Sequence, residues 1–300
     1  PFSFLPVMRR TKLYISGGGS LIQNQTSTRS LNYYLLSIRL AKLTGNRVLM
    51  YGCGIGPVNG EGCRKSAARV IDRNVDAITL REDLSAQELR SMGVTKPKIY
   101  VTADPALLLV PGSEGAVDGF LLGNNLDPAG RYALFVLREW QGFEAKKQAF
   151  VQSAKYVKEA YDLTPVFFAL EPGRDLPPSR EVARELPFEC PMLSAPEDEK
   201  LIIGMMKKMQ VVVSMRLHAL IFASSVAAPL VAVSYDPKVT GFMHYIGQKH
   251  CVYFEDVTAE NLCALIDGAL TERSEYSVDR LRALAAQNEE IAKKLLEEPI

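Results

Sequence analysis

The residues best suited to chemistry lie in a short motif that directly follows a run of valines in the sequence. Residues 211–213 read as a buried strand, and the segment Ser-Met-Arg-Leu-His at 214–218 leads from it directly into a helix. Arg216 brings a positive charge that can bind an anion. His218 can donate or accept a proton, because the unperturbed pKa of histidine lies near neutrality. We therefore predict a substrate-binding Arg216 and a catalytic His218. The alternative for His218 is a histidine that only packs on an apolar helix.

The next predicted strand ends close to a lysine. Residues 230–234 form another apolar run, and Tyr-Asp-Pro-Lys follows at 235–238. The carboxyl ends of parallel strands meet at one edge of a sheet, where doubly wound proteins bind their ligands. Lys238 is therefore predicted to join Arg216 and His218 as a catalytic residue of one site. Together these three side chains predict a polyanionic substrate.

A glycine-rich turn follows the first predicted strand. Gly17, Gly18, Gly19 and Ser20 would let a ligand approach the backbone, and free backbone N–H groups can bind an anion there. The spacing differs from the G-x-G-x-x-G of nicotinamide-binding proteins, so it does not favour that cofactor. We predict that these four residues contact substrate. A tight strand-to-helix turn is the alternative.

Two arginines in the first half of the chain also lie near strand ends. Arg64 follows the turn at 52–57 and lies near the start of a helix. A guanidinium at a helix terminus can bind a carboxylate or phosphate, so we predict a catalytic Arg64 that holds the donor. Arg81 ends a strand beside Glu82 and is predicted to bind substrate. The alternatives are a solvated surface arginine for Arg64 and a structural ion pair for Arg81.

These residues require a scaffold of parallel strands joined by helices. Short β-branched runs alternate with amphipathic segments, which indicates an α/β protein with doubly wound parallel sheets. The predicted strands cover residues 12–16, 48–51, 77–80 and 98–101 in the first half, and 132–137, 165–170, 210–214, 230–234 and 251–254 in the second. A capping box at 194–197 predicts a helix that runs to residue 209.

A loose stretch at 110–130, with several glycines and prolines, predicts the connection between two domains. We expect Rossmann-like domains over residues 1–125 and 126–276. The segment 277–300 is predicted to form a surface helix that packs back on the first domain. A length of 300 residues is compatible with two domains.

The composition argues against several classes of function. The 35 basic residues nearly balance the 34 acidic ones, so nothing favours a nucleic-acid partner. The five cysteines never take CxxC spacing, and no carboxylate–histidine cluster has ligand spacing, so we expect neither a disulfide framework nor a metal. The first ten residues lack a signal-peptide pattern, and the longest uncharged stretch reads as a helix and a strand. We therefore expect a cytoplasmic protein.

Seven short motifs, taken in order, resemble those of the polysaccharide pyruvyl transferase family, and within it the CsaB-like enzymes that act on secondary cell-wall polymer precursors. Their first residues are Ser16, Ser30, Tyr51, Thr79, Ala103, Ser214 and Ser234. The resemblance implies a GT-B-type fold, in which two Rossmann-like domains face a central cleft, with the acceptor on the first and the donor on the second. The glycine-rich first strand and helix usual in the family are absent here, so the first domain is expected to lack its first strand.

The resemblance also implies a reaction. The donor is phosphoenolpyruvate, no cofactor takes part, and the product is a pyruvate ketal on the N-acetylmannosamine of a lipid-diphosphate-linked glycan. Such ketals serve S-layer anchoring, and a lipid-linked acceptor implies peripheral contact with the inner face of the membrane. The alternatives are a nucleotide-sugar glycosyltransferase of the same fold and a non-enzymatic sugar-binding protein with two lobes.

Overall fold

The computed structural model describes residues 4–25, 27–272 and 276–297. The chain divides into two compact units, one formed by Pro1–Pro105 with Asp279–Ile300 and the other by Ala106–Val278. Each unit contains one parallel β-sheet. The predicted α/β class with two parallel sheets is therefore confirmed.

The first unit contains a four-stranded sheet whose strands lie in chain order. The strands are β1 (Leu13–Gly17), β2 (Arg47–Cys53), β3 (Ala77–Leu80) and β4 (Lys98–Val101). The helices are α1 (Leu5–Met8), α2 (Thr28–Leu43), α3 (Glu61–Asn74), α4 (Asp83–Ser91) and, from the end of the chain, α12 (Val278–Glu297).

Helices pack on both faces of this sheet. Along β2, Val48 and Met50 share a core with α2, α3 and α4. Leu49 lies between them in sequence and packs instead with Ile291 and Leu295 of α12. This alternation follows from the two-residue period of a strand. The C-terminal helix therefore packs on the first sheet, and residues 298–300 of the predicted segment lie outside the described residues.

The second unit contains six parallel strands in the order β10-β9-β8-β5-β6-β7. The strands are β5 (Tyr132–Val136), β6 (Thr164–Ala169), β7 (Met192–Ser194), β8 (Val211–Ser214), β9 (Leu230–Ser234) and β10 (Cys251–Tyr253). The helices are α5 (Glu114–Gly123), α6 (Phe143–Tyr161), α7 (Pro172–Arg184), α8 (Glu199–Lys207), α9 (Leu217–Ser225), α10 (Pro237–Tyr245) and α11 (Ala259–Thr271). Short 3-10 turns occupy Pro105–Leu108 and Phe254–Asp256.

The strand order of the second unit determines where a ligand should bind. If β5 to β10 are renumbered 1 to 6, the strands lie in the order 3-2-1-4-5-6 of a doubly wound sheet. In this order the chain first adds strands on one side of strand 1 and then reverses, from strand 4 onwards, to its other side. Here those strands are β5 and β8, which are hydrogen-bonded neighbours. Ligands of such sheets bind beyond the carboxyl ends of the strands at this reversal. The residues that follow β5 and β8 are therefore the first candidates.

The predicted capping box at 194–197 is wrong. Ser194 ends β7, a strand that we did not predict, and α8 begins later, with Asp198 as its N-cap. The Asp198 side chain accepts a 3.0 Å hydrogen bond from the backbone N–H of Lys200. An aspartate oxygen at the N-cap accepts from a backbone N–H as a serine oxygen does, so Asp198 and not Ser194 marks the start of α8.

The stretch at 110–130, predicted as a loose connection, contains α5. This helix packs on α8, where Gly204 leaves no room for a side chain beside Val117. Residues 106–125 therefore belong with the second unit, and the units divide at 105/106, whereas we placed the boundary at 125/126.

Candidate functional site

Arg216 and Arg138 lie at the reversal point of the second sheet. Arg216 is the N-cap residue of α9 and lies two residues after the end of β8, just as Arg138 lies two residues after the end of β5. The backbone N–H of Arg216 donates a 2.9 Å hydrogen bond to the Ser214 hydroxyl. Two guanidinium groups thus lie near the position where a doubly wound sheet binds its ligand.

The guanidinium of Arg216 is bound by two carboxylates. Its Nη2 donates to Oε2 of Glu171 at 3.0 Å, and its Nη1 lies 3.5 Å from Oδ1 of Asp175. The Arg216 side chain is 15% exposed and that of Asp175 is completely buried. Asp175 also accepts a 2.8 Å hydrogen bond from the backbone N–H of Glu171. Arg216 is therefore held from its buried side by Asp175.

Glu171 is surrounded by positive charge. Its Oε1 lies 3.3 Å from Nε of Arg174, while its Oε2 accepts from Arg216. Desolvation opposes ionisation of Glu171, but the hydrogen bond from Arg216 and the charges of Arg216, Arg174 and Arg138 outweigh it and lower its pKa. Burial raises the pKa of Asp175. Three arginines and two carboxylates form this group, which we call the arginine cluster.

His218 and Lys238 lie at the same edge of the sheet. His218 is exposed in the first turn of α9, and its ring centroid lies 6.3 Å from that of Phe222. Lys238 lies in the first turn of α10, after the neighbouring strand β9. Its Nζ lies 3.1 Å from Oδ2 of Asp236, whose Oδ1 also caps α10. The three basic residues predicted for this edge thus follow adjacent strands.

A cavity of about 410 Å³ opens beside the arginine cluster and is lined by Arg138, Glu139, Trp140, Gln141 and Arg174. The Trp140 ring lies 4.5 Å from that of Tyr235, centroid to centroid, and the guanidinium carbon of Arg138 lies 5.2 Å from the Tyr235 ring centroid. A volume of this size suits a small ligand. The guanidinium groups of Arg138 and Arg174 could bind an anionic group there.

In the first unit, the glycine-rich turn continues from β1 alongside the chain that follows β2. The φ angles of Gly18 and Gly19 are 83° and 64°, which other residues rarely adopt. The carbonyl of Gly19 accepts a 3.0 Å hydrogen bond from the N–H of Gly54. The N–H of Gly18 makes only a long 3.5 Å contact with the carbonyl of Tyr51, and Gly17 and Gly18 are exposed. The exposed backbone of this turn is accessible to a ligand.

Arg81 is the centre of a buried ionic group. Its side chain is 4% exposed, its Nε lies 3.0 Å from Oε2 of Glu82, and its Nη1 lies 3.1 Å from Oδ2 of Asp104. Its Nη2 donates to the Ser20 hydroxyl at 3.3 Å. Burial opposes the charge of Arg81, but the two carboxylates overcome this and raise its pKa. Arg81 therefore fixes the glycine-rich turn through Ser20, and its contact with substrate stays a prediction.

Arg64 joins two helices of the first unit. Its Nη1 donates to Oε1 of Glu88 at 2.6 Å and to the carbonyl of Val58 at 3.1 Å. Its Nη2 donates to the Ser91 hydroxyl at 2.7 Å. These bonds connect α3 with the last turn of α4. The predicted role of Arg64 in holding the donor stays a prediction.

Comparison with known protein families identifies the chain. A model of the polysaccharide pyruvyl transferase family matches residues 1–237. The chain belongs to this family. It is therefore a transferase. A search of curated proteins found no significant match.

Solved structures with low sequence identity share the fold of this pyruvyl transferase family member. HepE of Anabaena, in complex with UDP, aligns with a TM-score of 0.62 at 13% identity, over 98% of this chain and 81% of its own. The UDP-GlcNAc 2-epimerase of Methanocaldococcus jannaschii aligns with a TM-score of 0.67 at 12% identity, over 98% of this chain and 81% of the epimerase. A glycosyltransferase of Rickettsia africae aligns with a TM-score of 0.62 at 13% identity, over 99% of this chain and 81% of its own. These similarities show a GT-B-like fold.

Within residues 4–25, 27–272 and 276–297, no group of three or more histidine, cysteine, aspartate or glutamate side chains could hold a metal ion. Over the same described ranges, this transferase has no helix that is both long enough and apolar enough to cross a bilayer.

Sequence analysis missed Arg138, Trp140 and Arg174. Arg138 follows β5 as Arg216 follows β8, so inspection of every predicted strand end would have found it. The sequence gives no comparable sign for Arg174, because its place in the cluster depends on contact between α7 and the strand ends.

Proposed function

We propose that the protein transfers the pyruvyl group of phosphoenolpyruvate to N-acetylmannosamine in a lipid-diphosphate-linked glycan precursor, forming a pyruvate ketal and releasing phosphate. Membership of the pyruvyl transferase family supports the reaction. The observation that carries the proposal is the arginine cluster at the reversal point of the second sheet, with His218 and Lys238 at the adjoining strand ends.

The charge of the donor suits this cluster. A phosphate ester carries about −1.5 to −2 at neutral pH, and phosphoenolpyruvate adds a carboxylate. Planar guanidinium groups bind both kinds of anion by paired hydrogen bonds, whereas an ammonium acts as a point charge. We assign Arg216, with Arg138 and Arg174, to the binding of the donor. Lys238, whose ammonium is paired with Asp236, is assigned to the phosphate.

The proposed reaction needs one acid–base group at the donor. His218 gives a proton to the methylene carbon, which makes C2 cationic, and a sugar hydroxyl attacks C2. Phosphate then leaves with the electrons of its bond to C2, while Lys238 neutralises its charge. A second hydroxyl of the same sugar closes the ketal. The two hydroxyl groups lose two protons, of which one restores His218 and the other leaves with phosphate.

The first unit supplies the other proposed contacts. Gly17, Gly18, Gly19 and Ser20 form an exposed turn in which the N–H of Gly18 is poorly hydrogen-bonded, so it can donate to an anionic group of a substrate. Arg64 is proposed to hold the donor, and Arg81, which donates to Ser20, is proposed to bind substrate.

The proposed acceptor determines where the protein works. A lipid-diphosphate-linked glycan stays at the membrane surface, so we propose a cytoplasmic enzyme that contacts the inner face of the membrane peripherally. The CsaB-like motifs around residues 16–20, 214–218 and 234–238 support a role in secondary cell-wall polymer pyruvylation and S-layer anchoring.

A titration distinguishes this proposal from a nucleotide-sugar glycosyltransferase, the alternative that the fold would also allow. Isothermal titration with phosphoenolpyruvate and, separately, with UDP-N-acetylglucosamine measures both dissociation constants under the same conditions. We expect binding of phosphoenolpyruvate and its loss in Arg216→Ala. Tight binding of the nucleotide sugar without binding of phosphoenolpyruvate would assign the protein to the alternative.

A further inference from the structure

We infer that Glu171 is a displaceable counter-ion, which occupies the anion site of the free enzyme between Arg174 and Arg216 and sets the affinity for phosphate-bearing ligands. The identity of the ligand rests on the proposed function, since phosphoenolpyruvate is a phosphate ester with a carboxylate. The inference itself concerns any small phosphate-bearing anion that binds to the arginine cluster.

The geometry of Glu171 resembles that of a bound anion. One carboxylate oxygen lies 3.3 Å from Nε of Arg174, and the other accepts a 3.0 Å hydrogen bond from Nη2 of Arg216. A ligand carboxylate or phosphate would use the same donors with one oxygen for each. Glu171 and such a ligand cannot occupy these donors together, so binding requires the carboxylate of Glu171 to leave.

Glu171 can leave at little cost to the fold. Its side chain is 47% exposed, and exposed ion pairs contribute little to stability. It is the N-cap residue of α7, yet its side chain makes no capping hydrogen bond. Its backbone N–H is held by Asp175 instead, at 2.8 Å. The start of α7 therefore does not depend on the carboxylate.

The arginines would keep their places when Glu171 leaves. Arg216 is held on its buried side by Asp175, whose Oδ1 lies 3.5 Å from Nη1. Among the described residues, neither this Nη1 nor the buried Nε of Arg138 has a hydrogen-bond acceptor. Both atoms are buried, so a ligand would bind to the donors that Glu171 releases.

The charges of the arginine cluster predict that removal of the Glu171 charge strengthens phosphate binding. Three guanidinium groups act on two carboxylates in the arginine cluster, and Glu171 is the more exposed carboxylate. Loss of its charge leaves the cluster more positive and frees two donors. A residue that merely positioned the arginines would have the opposite effect, because its loss would disorder the donors and weaken binding.

The test uses inorganic phosphate as the probe. Its dissociation constant is measured by isothermal titration for the wild-type protein, Glu171→Gln and Glu171→Ala, at low and at high salt. We expect phosphate to bind about two- to fivefold more tightly to both variants at low salt, and the gain to shrink at high salt. Glu185→Gln is the matched control, since Glu185 lies at the other end of α7 and pairs with Lys147.

Unchanged or weaker phosphate binding in both variants, with thermal midpoints near wild type, overturns the inference. The same gain in Glu185→Gln would also overturn it, because the effect would then be one of overall charge. The outcome is independent of the proposed reaction, since no acceptor is present. If phosphate binds more tightly to the variants but phosphoenolpyruvate is never turned over, the counter-ion role stands and the proposed function fails.

Discussion

At the residue scale, the basic groups of the second unit are held in place before any ligand binds. Arg216 pairs with Glu171 and Lys238 pairs with Asp236, so neither side chain has to be ordered when substrate arrives. His218 is exposed in the first turn of α9, where a substrate can reach its ring. In the proposed function, the paired cations bind the donor and the histidine transfers the proton.

Replacement of His218 by alanine tests that assignment. We expect turnover to fall by about 10²-fold or more, because a positioned acid–base group typically contributes that much. The dissociation constant for phosphoenolpyruvate should change little, since the arginines remain. His244→Ala is the control, because His244 is also an exposed histidine on a helix of the same unit. A folded His218→Ala protein with near-normal turnover would leave His218 as a packing residue.

Two variants distinguish the proposed donor binding by Arg64 from its structural ion pair with Glu88. Arg64→Lys removes the planar contact with Glu88 and Ser91, and Glu88→Gln removes the ion pair but keeps the arginine. Each change should lower the free energy of unfolding by about 0–1 kcal/mol, as expected for a partly exposed pair. Only Arg64→Lys should impair turnover if Arg64 holds the donor. Equal loss of turnover in both variants would mean that Arg64 acts only by joining α3 to α4.

The candidate site was only partly predictable from the sequence. Arg216, His218 and Lys238 were found because strand ends in doubly wound sheets bind ligands and these residues directly follow two apolar runs. Arg138 satisfies the same rule, but it was overlooked. Glu171 and the buried carboxylate beside it could not be recognised, because their meaning depends on distances to arginines far away in the sequence.

At the scale of elements, strongly apolar β-branched runs were predicted well. The bounds of β3, β4 and β9 agree with the sequence, since each run is short and ends at polar residues. Strand β7 was missed because Ser194, its last residue, was interpreted as part of a capping box. Helix α5 was missed because Gly115, Gly119 and Gly123 lower its helix propensity, and its packing on α8 overrides that preference.

Gly54 shows how closely the first unit packs around the glycine-rich turn. A Cβ atom at this position would lie 2.7 Å from the Ser20 hydroxyl and 3.0 Å from Nη2 of Arg81. Gly54→Ala should therefore lower the free energy of unfolding by about 1–3 kcal/mol, measured by denaturant titration, because the buried ionic group must shift. The change should also displace the turn and impair turnover.

Gly62→Ala is the matched control for this prediction. Gly62 lies in α3 with open space around the position of a Cβ atom. Alanine should stabilise the protein there by about 0.5–1 kcal/mol, since it is the better helix former. If Gly54→Ala were as stable as wild type, the close packing around Ser20 would not constrain the turn.

At the scale of the whole molecule, the first unit is completed by the end of the chain. The Asn288 amide of α12 donates to the carbonyl of Ala103 at 2.9 Å and accepts from the Thr102 hydroxyl at 2.9 Å, and its side chain is buried. The segment 277–300 was predicted from the sequence to pack back on the first domain, but the hydrogen bonds of Asn288 join distant segments and could not be recognised from local sequence.

The central claim is transfer of a pyruvyl group from phosphoenolpyruvate, and product mass tests it most directly. The protein is incubated with phosphoenolpyruvate and a synthetic lipid-diphosphate disaccharide that contains N-acetylmannosamine, and the glycan is weighed by mass spectrometry. The account predicts a gain of one pyruvate less one water and an equal amount of released phosphate, both formed about 10²-fold or more slowly by His218→Ala. A glycan that keeps its mass with phosphoenolpyruvate but gains a sugar from a nucleotide sugar would contradict it.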